Sequence, residues 1–348
     1  MNKPIIRNLT LEELTNWLQN KKQQAYRAKQ VYQWLWSKNV SQLSEIKNIP
    51  KTLLKDIEES VIWDNVFVTN IQTSSDKTIK VAFELFDKSI IEGVIIPSDN
   101  RLTACISTQV GCPIKCSFCA TGQMGFTRNL NVGEIIDQIV LLNKLSEQHF
   151  NRKLTNIVIM GMGEPFLNYD NTIKALHILL SPSAMNWSAN RITLSTVGIP
   201  NAIKQFSDEN LKIKLAISLH SAIQSKREQI IPISRKYKLD DIIVSLNHYI
   251  KKTKKEITFE YLMLRQFNDS LEDVKELVRL CSSLKSKVNL IKYNSVDGAN
   301  FESSDEITIQ WFYEYLKSRK INVKIRESRG WDIDAACGQL SIKIYNKK

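Results

Sequence analysis

From about residue 100 onward the chain alternates short apolar runs with helical patterns, and this alternation limits the fold more than any other feature. The strand-type runs fall at 103–110, 155–161, 191–197, 211–219, 256–264 and 287–293. The clearest helical pattern between them spans 131–145, where Asn131 and Glu134 form a capping-box pair ahead of Val132, Ile135, Ile136 and Ile139. Strands separated by helices cannot pair as hairpins, so the series predicts a parallel sheet, either open and doubly wound or a partial barrel. Residues 1–60 read differently, as short helices. Thr10 and Glu13 make a capping box ahead of Leu14, Trp17 and Leu18, a second helical pattern covers 26–36, and Pro50 opens a third. Residues 61–99 carry three β-rich runs, 66–71, 78–85 and 89–96, and predict a short antiparallel segment. The expected organisation is a helical accessory unit at 1–60, an antiparallel linker at 61–99 and the βα series at 100–348.

The first βα unit carries an unusual loop. Cys112, Cys116 and Cys119 have the spacing C-x3-C-x2-C, directly after the first strand of the series. Three thiolates on one tight loop suit a metal centre. Structural zinc needs a fourth ligand to complete its tetrahedron, and no further Cys or His lies nearby, the histidines being His149, His177, His220 and His248. An iron–sulfur cubane held by three thiolates leaves one iron open to a ligand. The second strand of the series runs into Gly161-Met162-Gly163-Glu164-Pro165, where glycines admit a close ligand and a carboxylate can receive an ammonium group.

With Phe118 as its aromatic, the loop resembles the C-x3-C-x-aromatic-C signature of radical S-adenosylmethionine enzymes. That resemblance implies a partial (β/α)6 barrel with a [4Fe-4S] cluster at its mouth. The cluster would be bound by Cys112, Cys116 and Cys119 and would chelate exchangeable S-adenosylmethionine. A narrower resemblance, to RlmN-type adenosine-C2 RNA methyltransferases, rests on three segments. They are Cys105-Ile-Ser-Thr-Gln-Val-Gly-Cys112, Leu194-Ser195-Thr196 with Ser218-Leu219-His220, and Gly330-Trp-Asp-Ile-Asp-Ala-Ala-Cys337-Gly-Gln-Leu340. It implies that Gly163, Glu164, Ser195, Ser218, Leu219, His220 and Asn294 contact S-adenosylmethionine. It further implies that Cys337 carries the methyl group, Cys105 resolves the product and Glu92 is the general base.

The implied chemistry accounts for two cysteines outside the cluster. Adenine C2 has no nucleophilic lone pair, whereas a thiolate can accept a methyl group by displacement. In the family's sequence a second S-adenosylmethionine yields a radical that activates the methyl on Cys337. A crosslink to RNA forms, and Cys105 releases the methylated base with a transient disulfide. Cys281, spaced with Leu277, Leu280 and Leu284, reads as helix packing. Read without the resemblance, Cys105 could be strand packing, Glu92 a solvated edge residue and His220 an ordinary satisfied histidine.

The partners follow from charge and family. Lysine and arginine outnumber aspartate and glutamate by 48 to 36, a net +12 that favours a polyanion. Within 21–55, Lys21, Lys22, Arg27, Lys29, Lys38, Lys47, Lys51 and Lys55 oppose Glu45 alone, with Tyr26, Tyr32, Trp34 and Trp36 interleaved. Such rings can stack on bases, and at least half of them are expected in the core of the small helical unit. The resemblance implies 23S rRNA and tRNA as substrates, an electron donor of flavodoxin type and a monomer. No run approaches the ~18 apolar residues of a membrane span, and Glu12 and Glu13 interrupt any leader, so the expected location is cytoplasmic. Two alternatives remain at this stage: a related C8-adenosine rRNA methylase, and a non-catalytic RNA-binding protein with a structural metal.

Overall fold

The computed structural model describes residues 3–38, 40, 43–62 and 66–341. Helices α1 (Leu11–Asn20), α2 (Ala25–Trp36) and α3 (Lys51–Ser60) come first. The Thr10 hydroxyl accepts the Glu13 amide while Glu13 accepts the Thr10 amide, which closes the expected capping box. The aromatic set of α2 divides as expected, at least half of it forming a core. Ala28, Val31, Tyr32, Leu35 and Trp36 share the buried face, with Tyr32 edge-on to Trp36 and the Arg7 guanidinium over the Trp36 ring. Trp34 is half-buried against this core and Tyr26 is exposed, under the Arg27 guanidinium, so Tyr32 and Trp36 are packing residues and Tyr26 is the ring free to meet a base.

The sheet has ten strands. β1 (Val66–Thr73), β2 (Ile79–Leu85), β3 (Ile90–Ser98) and β4 (Arg101–Ile106) pair antiparallel in sequence order. The apolar run expected as one strand over 103–110 divides. The polar pair Ser107-Thr108 leaves the sheet, with Ser107 Oγ donating to Glu92 O and the Thr108 amide to Met162 O. β5 (Gln109–Gly111) then pairs with β6 (Phe126–Asn129) in a separate ribbon, with α4 (Ala120–Gln123) between them.

Helix α5 (Val132–Phe150) leads to β7 (Asn156–Ile159), which pairs parallel to β4. The alternation continues through α6 (Tyr169–Leu180), β8 (Ile192–Thr196), α7 (Pro200–Asp208), β9 (Lys214–Ser218), α8 (Gln224–Ile230) and α9 (Leu239–Thr253). It ends with β10 (Ile257–Met263), α10 (Leu271–Ser282), β11 (Ser286–Lys292), α11 (Glu306–Ser318) and β12 (Asn322–Arg326). The six expected parallel strands are present, and β12 adds another at the edge, parallel to β11. Its lysine- and arginine-rich alternation, Asn-Val-Lys-Ile-Arg, concealed it among helical and loop signals.

Strand order decides between the two architectures left open by periodicity. The parallel strands follow one another as β4-β7-β8-β9-β10-β11-β12 with no reversal. A doubly wound sheet reverses its order at a switch point, whereas right-handed crossovers in unbroken order put every helix on one face and curl the sheet. The curl brings distant strands together: the guanidinium of Arg326 on β12 lies 4.0 Å from Met160 Sδ, beyond the end of β7, with four strands between. The antiparallel strands extend the same sheet, and α5 packs across both parts. No helix among the described residues is long and apolar enough to cross a membrane.

Candidate active site

The concave face of the sheet encloses one cavity of about 790 Å³. Strand register decides which side chains enter it. Val94 on β3 faces Cys105 on β4, and Ala82 faces Glu92, so Glu92, Val94 and Cys105 point to one side of the sheet. Cys105 itself reaches the cavity from the middle of that wall.

The cysteine loop closes one rim. Gly111 has a positive φ of 73°, and a Cβ there would lie 1.9 Å from the Gly125 carbonyl oxygen, so only glycine permits the turn that starts the loop. The Cys112 amide then donates to that same carbonyl at 2.7 Å. The Ser117 amide donates to Ile230 O, and Cys119 caps α4. Cys112, Cys116 and Cys119 all line the cavity, and they pack against an apolar group of Ile114, Phe118, Val197, Ile230, Leu262 and Tyr293.

Burial pushes the Cys112 thiol up to about 12, and the Cys116 and Cys119 thiols also rise. The same surroundings hold groups that favour sulfur anions: the backbone at Ile114 for Cys112, the backbone at Thr121 and Gly122 for Cys119, and the Arg227 guanidinium for Cys116. Among the described residues no three His, Cys, Asp or Glu side chains gather tightly enough to hold a single ion. Three thiolates on one loop leave one iron of a cubane open to a ligand, whereas a structural zinc would need a fourth protein ligand. The donor set therefore fits an iron–sulfur cluster whose cations would displace the thiol protons.

The residues after the next strands face this loop. Gly163 has φ of 102°, and a Cβ there would strike the Gln109 side chain at 2.6 Å. The buried Glu164 carboxylate accepts the Phe166 amide at 3.0 Å and the Val197 amide at 2.8 Å. Burial nevertheless raises it to about 7. Ser195 and Ser218 bring their hydroxyls to 3.4 Å from each other on adjacent strands.

His220 is left-handed (φ 56°), with Phe118 edge-on at 4.8 Å. Its Nδ1 accepts the Leu262 amide at 3.1 Å, and burial beside Arg227 depresses it to about 3. His220 is thus neutral, with the proton on Nε2.

The C-terminal segment crosses the same mouth. The Ala120 amide donates to Gly338 O, the Thr121 hydroxyl to Leu340 O and the Gln339 amide group to Ser295 O. These bonds hold the half-buried Cys337 on the cavity wall with Ala335, Ala336 and Gly338. Burial first, and then the nearby Cys337, raise the Cys105 thiol to about 12, while the Arg326 guanidinium acts in the opposite sense.

Three predicted site residues lie off the cavity wall. Leu219 is buried, and only its backbone works, donating to Glu260 O and accepting from Arg227. Asn294 donates its side-chain amide to Ser328 Oγ at 2.8 Å. Glu92 is fully buried, so the solvated-edge reading is corrected. Its carboxylate accepts the Ser341 amide at 2.8 Å and faces the buried Lys80 ammonium at 3.6 Å.

Sequence reasoning passed over Arg227, Glu260 and Arg326. Arg326 lies 3.7 Å from Glu260, whose carboxylate also accepts Asn289. A glutamate inside the apolar strand Ile-Thr-Phe-Glu-Tyr-Leu-Met was the one visible signal.

The raised Glu164 carboxyl yields a pH prediction. Its ordinary value is 4.5 and its folded value about 7, so between those limits the folded chain keeps a proton that the unfolded chain has lost. Stability contributed by this group is therefore greatest at low pH and falls as pH rises to 7, by about 3 kcal/mol. Denaturant titrations of wild type and Glu164→Gln should show the difference between them shifting against wild type from pH 5 to 7.5. A pH-independent difference would rule out the raised carboxyl.

Comparison with known proteins gives consistent matches. Residues 106–281 match the radical SAM superfamily model, and residues 6–62 match the model of a ribosomal RNA large subunit methyltransferase N-terminal domain. A Pseudothermotoga lettingae protein named "Probable dual-specificity RNA methyltransferase RlmN" is 44% identical over 97% of both chains. The Nautilia profundicola "Dual-specificity RNA methyltransferase RlmN" is 40% identical over 93% of this chain and 95% of its own. A crystal structure of a radical SAM methyltransferase from Sphaerobacter thermophilus superposes with a TM-score of 0.93 at 38% identity, covering 97% of this chain and 99% of that one.

Proposed function

The chain belongs to the RlmN family of radical S-adenosylmethionine RNA methyltransferases, and from that membership we propose that it methylates C2 of adenosine in 23S rRNA and in tRNA. The proposed targets are an adenosine of the peptidyl-transferase region and the adenosine beside the anticodon. The observation that carries the reading is the meeting of two further cysteines, Cys105 and Cys337, with the three-cysteine loop on one cavity. A methyltransferase acting on a nucleophilic atom needs no such pair.

In this reading Cys112, Cys116 and Cys119 hold the [4Fe-4S] cluster. Bound there with S-adenosylmethionine, the cluster supplies the one-electron chemistry that abstracts hydrogen from a methyl group. The protein does the rest. Glu164 and the Ser195–Ser218 pair offer acceptors and hydroxyls to a polar ligand, and the neutral His220 presents its Nε2 proton. Cys337 accepts the methyl group on sulfur, and Cys105, which lines the same cavity, displaces the product from that sulfur as a disulfide forms. Glu92, poised near 7 chiefly by burial, suits removal of the C2 proton once the Ser341 amide gives it up. The basic helices at 1–60 act as the RNA-binding accessory unit, and the chain works as a cytoplasmic monomer reduced by a flavodoxin-type donor.

Nucleosides from 23S rRNA and tRNA incubated with the reduced enzyme should contain 2-methyladenosine. Appearance of 8-methyladenosine alone would reassign the product, and labelling of rRNA without tRNA would narrow the substrates.

A further inference from the structure

A lysine with its ammonium out of water is rare in a folded protein unless a carboxylate holds it. Lys80 on β2 is 3% exposed, and its Nζ lies 3.6 Å from Oε1 of the fully buried Glu92. Register explains the meeting. Lys80 faces Val94 of β3, and Val94 faces Cys105 of β4, so Lys80 lies two strands, about 10 Å, from Cys105 on one side of the sheet. Glu92 stands two residues before Val94 on that same side, diagonal to Lys80.

The segment that carries Cys337 roofs this pair. Its start packs beside β2, where a Cβ at Gly330 would lie 2.8 Å from Thr78 Cγ2, and its end donates the Ser341 amide to Glu92 Oε2 at 2.8 Å. Glu92 Oε1 accepts no hydrogen bond among the described residues, so the ammonium faces an oxygen with spare lone pairs. The charged groups bearing on Glu92 are Lys80 and, from the roof, Asp334. Its other neighbours are neutral: the Cys105 thiol, pushed up to about 12 by burial, and the Ser107 hydroxyl, which donates to Glu92 O. Burial pushes the Glu92 carboxyl up to about 7; Lys80 acts against that rise and Asp334 adds to it.

We propose that Lys80 is a positioning residue for the proton-abstraction step, holding the Glu92 carboxylate charged and in place as the base that takes the C2 proton. The inference rests on the role proposed above for Glu92. When the Ser341 amide gives up the carboxylate, the ammonium is the contact that remains. The charge count suits a base that must reset. Carboxylate and ammonium cancel before the step. Once Glu92 has taken the proton, the ammonium stands alone in a buried space, which favours loss of that proton and restores the pair. A neutral side chain in place of Lys80 reverses the preference, because a lone buried carboxylate keeps its proton.

The test uses the full chain with its cluster reconstituted anaerobically, methyl-labelled S-adenosylmethionine, a reductant and a transcript bearing the target adenosine. Wild type, Glu92→Gln, Lys80→Met, Lys80→Gln and Lys80→Arg are followed through one turnover by rapid quench and denaturing gel across the pH range of stability. Methyl transfer to Cys337 and formation of the RNA–protein crosslink should proceed in all the Lys80 variants. At pH 7, release of RNA from the crosslink should be about tenfold slower or more in Lys80→Met and Lys80→Gln. It should recover as pH rises, with a midpoint about one to three pH units above that of wild type, the effect of one lost opposite charge. Lys80→Arg, which keeps the charge, should keep the wild-type profile.

Two neutral variants of different shape guard against a folding defect peculiar to one of them. If Glu92→Gln retains the crosslink while the neutral Lys80 variants release RNA with the wild-type pH profile, the proposal is overturned and Glu92 keeps its role. Slow release that high pH does not relieve marks Lys80 as structural and overturns it as well. If Glu92→Gln releases RNA as fast as wild type, the reading of Glu92 as the base falls, and the inference falls with it.

Discussion

Replacing Cys105 with alanine is expected to leave the protein covalently attached to its RNA through Cys337. Both cysteines line the cavity, and Cys337 is held on the wall because the carbonyls of Gly338 and Leu340 accept from the Ala120 amide and the Thr121 hydroxyl, bonds this substitution does not touch. Methyl acceptance and carbon–carbon coupling should therefore proceed. Release should not, because the displacing thiol is gone, the other thiols on the cavity belong to the cluster loop, and Cys281 is buried away from it. Turnover should fall by about a thousandfold or more while the first RNA is captured, a separation of steps that a folding defect cannot imitate. A slowed, RNase-sensitive band on a denaturing gel, absent in the Cys105→Ala, Cys337→Ala double variant, is the expected result. Free RNA with a normal content of methyladenosine would rule out the two-cysteine route.

Arg227→Met should be the most damaging substitution at a position with no part in the proposed chemistry. The side chain is fully buried in α8, and its guanidinium reaches four partners: Leu219 O at 3.2 Å, Ser234 Oγ at 2.6 Å, Ser218 O at 3.3 Å and Val197 O. Val197, Ser218 and Leu219 lie at or just past the ends of β8 and β9, in the segments that present Ser218 and His220 to the cavity, and Ser234 lies in the turn after α8. Methionine fills much of the volume but leaves three backbone carbonyls without a donor in an apolar setting. The cost should be about 3–5 kcal/mol in denaturant unfolding. A second effect should appear in whatever protein folds. Without the cation beside Cys116 the thiolate is harder to form, so iron content after reconstitution should drop relative to wild type. Arg227→Lys should recover part of the stability and most of the iron, since one ammonium keeps the charge but not the fork. Wild-type stability in the methionine variant would show that the carbonyls find other donors.

These two cases mark what was legible in the chain. Cys112, Cys116 and Cys119 share one short loop, so their proximity is written in their spacing, and Gly163-Glu164 follows a strand whose partner in the sheet is the strand before that loop. Local chemistry of this kind reads directly. The capping boxes at Thr10 and Asn131 read in the same way, because both partners sit within one helical turn. Arg227 gives no such signal: an arginine after a lysine in Ser-Lys-Arg-Glu resembles any solvated helix face. Its burial follows from the crowding of loops that lie far apart along the chain. The helical aromatics of α2 could be divided only roughly, at least half to a core, because a pattern of rings among lysines looks the same whether a given ring faces a core or a base.

The sequence by itself determined the alternation of strands and helices, the cysteine loop and the family to which both belong. Tertiary structure decided the rest. Unbroken strand order curled the sheet into a partial barrel, and that curl brought Arg326 across to Met160 and Glu260. It also brought Cys337 and Cys105 onto one cavity and buried Glu92 against Lys80 and Ser341. The physical reason is one of range. Periodicity and capping act over a few residues, whereas the burial and charge that set each group's chemistry come from strands distant in sequence that only the closed sheet makes neighbours.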